Sequence, residues 1–203
     1  MADVNFMTAT VAHVDSDYVD TAFGHCETIA NDLRGSAAAT ARYGMLQTGD
    51  WTSHIIFLAS YKTAADVEKG WDTIAASAGF RAMAADGKSQ IKLRNVVRLS
   101  DVSIPVKAST GPGYGVITRL GSATPMVDEI RELLPIFIDN GAQILRYGTL
   151  VTGSAAGRRL MAVGYPSMAA IDATYEALMA SEGYKSIMAQ VELDFRNIVR
   201  LAG

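Results

Sequence analysis

The chain has 203 residues, 49% of them hydrophobic, so it can bury a substantial core without disulfide or metal support. Its 18 basic and 21 acidic side chains leave a formal net charge of −3 with no long run of either sign, which excludes nucleic acid and an anionic membrane as evident partners. A single cysteine, Cys26, excludes an internal disulfide, and no apolar run nears the roughly 18 residues of a bilayer span.

In chain order, Asn5 to Val14 reads as a strand. Val19, Ala22, Phe23, Cys26, Ile29, Ala30 and Leu33 then form an apolar stripe at helical spacing, with Asp15 to Asp17 where an N-cap belongs and Gly35 where the helix should stop. Ala38 to Gln47 and His54 to Tyr61 follow as strands joined by a hairpin-type linker, Thr48 to Ser53. Thr63 caps a second helix carrying Val67, Trp71 and Ile74, a break near Gly79 opens a short helical turn, and Gln90 to Leu99 closes the unit as a strand. Ser100 to Gly113, with Pro105, Gly111, Pro112 and Gly113, reads as a linker.

The plan then repeats. Tyr114 to Leu120 is a strand, Met126, Ile130, Leu133 and Phe137 stripe a helix ended by Gly141, and Gln143 to Val151 and Arg159 to Tyr165 form the hairpin. Ile171, Tyr175 and Leu178 stripe the last helix before the strand Val191 to Leu201. Residues 42–85 align with 146–189 without a gap, and 12 of the 44 pairs are identical, so the match is a duplicated domain rather than a shared motif. Arg42-Tyr43-Gly44 returns as Arg146-Tyr147-Gly148, and Arg94-Asn95-Val96-Val97-Arg98-Leu99 as Arg196-Asn197-Ile198-Val199-Arg200-Leu201. The division is repeat 1 over 1–101, linker over 102–113 and repeat 2 over 114–203.

Each repeat has the order βαββαβ, the ferredoxin-like split βαβ unit, with both helices on one face of an antiparallel sheet. The other face must be covered, and the second copy is the nearest cover. With the Gly79-Phe80-Arg81 and Gly183-Tyr184-Lys185 helix breaks, the chain resembles the dimeric α+β barrel superfamily. That resemblance implies an α+β fold of two tandem ferredoxin-like repeats forming a pseudo-symmetric barrel. Its members include cofactor-independent monooxygenases, haem-handling enzymes and stress-related proteins, and no catalytic motif of any of them can be laid on this chain residue by residue.

Strand alternation sorts the polar residues. Ile91, Leu93, Asn95, Val97 and Leu99 share one face with their counterparts in Val191 to Leu201, read here as the face toward the helices. Arg94, Arg98, Arg196 and Arg200 share the other with Glu192 and Asp194, read as a polar network between the sheets. Asn95 and Asn197 interrupt an apolar row. A buried amide without partners costs about 1–3 kcal/mol, so each either bonds to backbone or lines a helix–sheet pocket, toward which Tyr43 and Tyr147 could bring hydroxyls. His13 and His54 are the candidate acid–base residues if a reaction exists. Trp51 is an exposed hairpin aromatic suited to a lid or a subunit contact, and Cys26 a core thiol.

No His, Cys or carboxylate set has metal-ligand spacing, so no metal and no cofactor is expected. Three functions stay open: a small-molecule-binding protein, a cofactor-independent monooxygenase acting on an aromatic or quinol-like substrate, and a structural or assembly protein without a ligand. A cytoplasmic location is expected, since Met1 to Thr10 lacks a signal-peptide pattern, and homodimerisation is compatible with the fold.

Overall fold

The structure, a computed structural model, describes residues 4–104 and 111–202. Repeat 1 contributes β1 (Phe6–Val14), α1 (Val19–Ser36), β2 (Thr40–Leu46), β3 (Ile55–Tyr61), α2 (Ala64–Ala76), α3 (Ala78–Asp86) and β4 (Ser89–Ile104). Repeat 2 contributes β5 (Tyr114–Ser122), α4 (Val127–Glu132), α5 (Leu134–Asp139), β6 (Ile144–Leu150), β7 (Arg159–Tyr165), α6 (Met168–Ala180), α7 (Glu182–Met188) and β8 (Val191–Leu201). Both repeats are βαββαβ units with additional helix breaks.

The two sheets do not merely stack. Antiparallel pairing of β2 with β8 and of β4 with β6 joins their edges into one closed barrel, in the order β1-β3-β2-β8-β5-β7-β6-β4. Closure removes every exposed edge. The repeated Arg-Tyr-Gly triplet explains the seams. A Cβ on Gly44 would lie 2.9 Å from Leu201 Cα, and one on Gly148 2.9 Å from Leu99 Cα, so both glycines let the joining strands approach.

Three cores result. Met7, Ala9, Val11, Val97, Ile117 and Val199 are among the residues that fill the barrel interior. Ala22, Ile29, Leu33, Tyr43 and Tyr61 pack between the helices and the outer sheet face of repeat 1, and Ile130, Phe137, Tyr147 and Leu178 do the same in repeat 2.

Several local expectations shift. The capping box of Thr63 and Asp66 starts α2, but α1 begins after Tyr18 with no side-chain cap and runs through Gly35 to Ser36. The stripe from Met126 to Phe137 is two short helices rather than one. Pro135 has no N–H to give Arg131, and the chain turns at Leu133. Residues 102–104 belong to β4 rather than to a linker. Val102 and Ile104 are buried in the helix-side core of repeat 2, so repeat 1 lends its last strand to its partner. The remaining linker residues 105–110 lie outside the described residues.

The two strand faces are the reverse of the sequence expectation. Leu93, Val97 and Leu99 pack in the barrel interior, while Val96 packs with the helices. Both faces of a barrel strand are covered, so an apolar row does not say which core it joins. Helices cover the outer face incompletely, which lets long arginines reach water past their edges.

Candidate functional site

The two ends of the barrel are chemically different. One mouth opens into a cavity of about 270 Å3, lined by Ala9, Val11, Ile117, Trp51 and Phe195 with the carboxamides of Asn95 and Asn197. Trp51, in the β2–β3 hairpin, thus forms part of the wall of this mouth.

Asn95 and Asn197 arrive there on equivalent positions of β4 and β8, each facing the hairpin of the opposite repeat. Gly49 and Gly153, both at φ +83°, bring their backbone so close that a Cβ would collide with Asn197 and Asn95 respectively. The adjoining threonines complete the clasp. Thr48 Oγ1 accepts from Ile198 N–H at 2.8 Å, and Thr152 Oγ1 accepts from Val96 N–H at 2.9 Å. Gln47 N–H donates to Ile198 O and Val151 N–H to Val96 O, each at 2.8 Å. The Thr-Gly pair at 48–49 and 152–153 was a signal available in the repeat alignment.

Tyr43 and Tyr147 do not join the asparagines. They lie on the helix side of β2 and β6, where Tyr43 packs edge-on to Phe23 at 5.7 Å and parallel to Phe57 at 6.2 Å. Tyr147 Oη donates to Pro125 O at 2.7 Å, and burial pushes its phenol up to about 12. The pocket expected between helices and sheet therefore does not unite these four residues.

The two acids are paired, but inside repeat 2 rather than between the sheets, and with arginines other than the four expected. Glu192 pairs with Arg158 at 2.9 Å, and Asp194 with Arg119 at 2.7 Å and also with Arg158. A β-bulge opposite Arg119 and Leu120 breaks the alternation of β8, and Asp194 lines the cavity together with Arg119. Arg119 also stacks on Phe195, 4.8 Å from the ring centroid. Burial and the nearby Arg158 lower its pKa.

Arg94 and Arg196 turn outward instead. Arg94 Nε donates to Thr10 Oγ1 at 3.2 Å, and Arg196 donates to Tyr184 Oη at 2.9 Å with its guanidinium 4.4 Å above the Tyr175 ring. Arg98 and Arg200 are exposed on the same outer face, opposite Phe6 and Tyr114.

His13 and His54 do meet, with ring centroids 5.3 Å apart, and Trp51 stands edge-on to His54 at 5.1 Å. Their surroundings are an open surface cleft, where His13 Nε2 lies 3.6 Å from Asp15. No histidine or cysteine lines either barrel cavity, so the residues present do not fit a haem held inside the barrel. Among the described residues no three His, Cys, Asp or Glu side chains gather as a metal site. Cys26 is buried in the helix-side core and its thiol is pushed up to about 12 by burial.

One family model matches residues 4–99 and again 112–201, once per repeat, and is described as a domain of unknown function, DUF6854. The chain belongs to the DUF6854 family. No curated protein matches it. Solved structures similar to this DUF6854 chain include a candidate monooxygenase from Lactobacillus acidophilus NCFM, at TM-score 0.63 and 10% identity over 98% of this chain and 94% of that one. A candidate monooxygenase from Fusobacterium nucleatum subsp. nucleatum aligns at TM-score 0.65 and 10% identity over 100% and 94%. A variant of the chlorite dismutase from Candidatus Nitrospira defluvii aligns at TM-score 0.62 and 7% identity over 98% and 91%. At such identities the likeness shows a shared fold, that of a ferredoxin-like α+β barrel. No helix among the described residues is long and apolar enough to cross a membrane.

Proposed function

We propose that the mouth between Trp51 and Phe195 binds a flat, hydroxylated aromatic molecule and that the protein oxygenates it without a resident cofactor. The cavity carries this reading. Its volume of about 270 Å3 suits a one- or two-ring ligand, its floor is apolar, and its two carboxamides offer donors and acceptors to ring hydroxyls. The fold likeness to proteins named as monooxygenases supports the reaction class, although a shared fold alone assigns no activity.

The chemistry asks little of the protein. A deprotonated quinol or anthrone-like substrate can itself give electrons to dioxygen. One oxygen atom then enters the ring carbon, and the other leaves as water with the two hydrogens that the substrate loses, both from the oxidised carbon in an anthrone, and one from the ring carbon and one from a hydroxyl in a quinol. The protein has to hold the ring, take a proton and keep bulk water out. Asp50 lines the same mouth and, among the described residues, has no ion-pair partner, so the proton acceptor falls to it.

Titration with hydroquinones and anthrones while following Trp51 emission and oxygen uptake tests both parts. Saturable quenching is expected, lost in Trp51→Phe and weakened at least tenfold in a cavity-filling Ala9→Leu variant. Asp50→Asn should retain quenching and lose oxygen uptake by about a hundredfold, within the range for general-base removal. Quenching without oxygen uptake would reduce the protein to a binder. No quenching by any member of the series would refute the site.

A further inference from the structure

The opposite mouth of the barrel has the reverse electrostatic character. Arg42 and Arg146 occupy equivalent positions in the two repeats, and both line one cavity at that end. The cavity proper is tight, about 50 Å3, and its walls are mainly apolar, with Met7, Leu58, Ile117 and Val199 among them. Outside it lies an open cleft of about 610 Å3 that Arg42 shares with Arg34.

At the Trp51 mouth the arginine that lines the cavity, Arg119, meets the carboxylate of Asp194. Here none does. Among the described residues neither Arg42 nor Arg146 forms an ion pair, and the Nε of each is buried without a hydrogen-bond partner. Arg146 is only 8% exposed, and its recorded bonds run from Nη1 to the carbonyls of Leu145 at 3.0 Å and Ile104 at 3.3 Å. Gly111 lies against Arg42, where a Cβ would sit 2.8 Å from Nη1, so glycine lets the chain pass beside the guanidinium. Arg34 adds a third positive charge at the rim, although its own bonds go to Ala41 O and Asn31. Desolvation lowers the pKa of both Arg42 and Arg146, and Arg34 lowers that of Arg42 further.

A buried guanidinium beside a half-buried one, with no counter-charge between them, is costly, and an arginine cannot escape by deprotonating near neutral pH. On the helix side Arg94 and Arg196 find hydroxyls, and Arg196 an aromatic face as well, so the fold can satisfy a guanidinium when it needs to. The geometry points to an anion-binding site at this mouth, in which Arg42 and Arg146 clamp the carboxylate of a small organic monoacid whose apolar part contacts the barrel core. A guanidinium offers paired N–H donors that match a carboxylate's two oxygens. The apolar lining favours a singly charged headgroup with a hydrocarbon tail over a phosphate dianion, whose desolvation it would not repay. The site is independent of the aromatic site proposed at the other mouth.

Thermal melting in butyrate or benzoate, against chloride and inorganic phosphate at equal ionic strength, reads this directly. At about a hundredfold excess over Kd, the carboxylates should raise Tm by about 5–10 °C. Phosphate should do no more than chloride. Arg146→Met and the milder Arg42→Lys should each lose at least half of the carboxylate shift, while Trp51 quenching by hydroquinone is unchanged. In carboxylate-free buffer Arg146→Met should melt no lower than the wild type, because it removes an unmatched buried charge. The same shift is expected from a chain extended at its C-terminus.

No shift from either carboxylate would overturn the site. A phosphate shift exceeding that of benzoate would overturn the monocarboxylate assignment. A shift seen only in the extended chain would overturn a free ligand. A carboxylate shift retained in both arginine variants would place the anion elsewhere.

Discussion

Thr48 and Thr152 each act as a substitute backbone acceptor where a β ladder crosses from one repeat to the other. Replacing either with Val keeps the shape and removes the acceptor, so each change should cost about 1 kcal/mol, and the pair about twice that, in urea unfolding. Gly49→Ala should cost more, about 1–3 kcal/mol, because its φ of +83° disfavours a side chain and Asn197 stands in the way. Tyr147 gives a pH signature. Its phenol is held at about 12 against an ordinary 10.0, so its neutral form contributes stability that is intact below pH 10 and is lost as pH rises through about 12. Tyr147→Phe should therefore make the alkaline limb of the stability curve less steep, and should cost about 1 kcal/mol at neutral pH through the lost bond to Pro125. At this scale the sequence was partly legible. The repeat marked Asn95, Asn197, Arg42 and Arg146 as paired positions, but it could not show that the asparagines meet hairpin backbone while the arginines, among the described residues, meet no carboxylate. Those distinctions depend on contacts between residues about 50 to 150 positions apart.

Strands and helices were easier to read than the faces they present. The periodicity of Val19 to Leu33 and the Thr63 cap lead directly to α1 and α2. Alternation separated two rows of residues along β4 and β8 except where a bulge intervenes, yet the rows were given to the wrong layers. In a closed barrel an apolar row can fill the inside or support helices, and only topology decides between them. Register shifts opposite Val11 and Ala12, between Leu99 and Ser103, and opposite Arg119 and Leu120 also interrupt strict alternation, and the last brings Asp194 to the cavity beside Arg119. The seams between repeats rest on Gly44 and Gly148. Gly148→Val would force β6 away from Leu99 of β4, so a loss of about 3 kcal/mol or more, or failure to fold, is expected in denaturant melts. The same change at Gly115, whose nearest potential contact is 3.7 Å away, should be milder.

The whole molecule follows from duplication. Each repeat alone would present two raw sheet edges and one bare face. Pairing β2 with β8 and β4 with β6 removes both problems within a single chain. The same closure creates two mouths, each lined by equivalent residues of both repeats, Asn95 and Asn197 at one and Arg42 and Arg146 at the other, so the pseudo-twofold passes through both mouths and the two ends differ by construction. At one, Trp51, Phe195 and matched ion pairs surround a cavity; at the other, two arginines stand unmatched. The duplication and the barrel were legible from repeat spacing and element order. The contrast between the ends was not, because it depends on which strand ends the barrel brings together. Amide hydrogen exchange on dilute protein tests the closure on which both sites depend, through the N–H groups of Gln47, Val96, Val151 and Ile198. These four should exchange only through global opening, as slowly as ladder amides inside a repeat such as that of Ala9. Fast exchange at all four, with the ladders inside each repeat still protected, would mean that the repeats stand apart and that neither mouth exists.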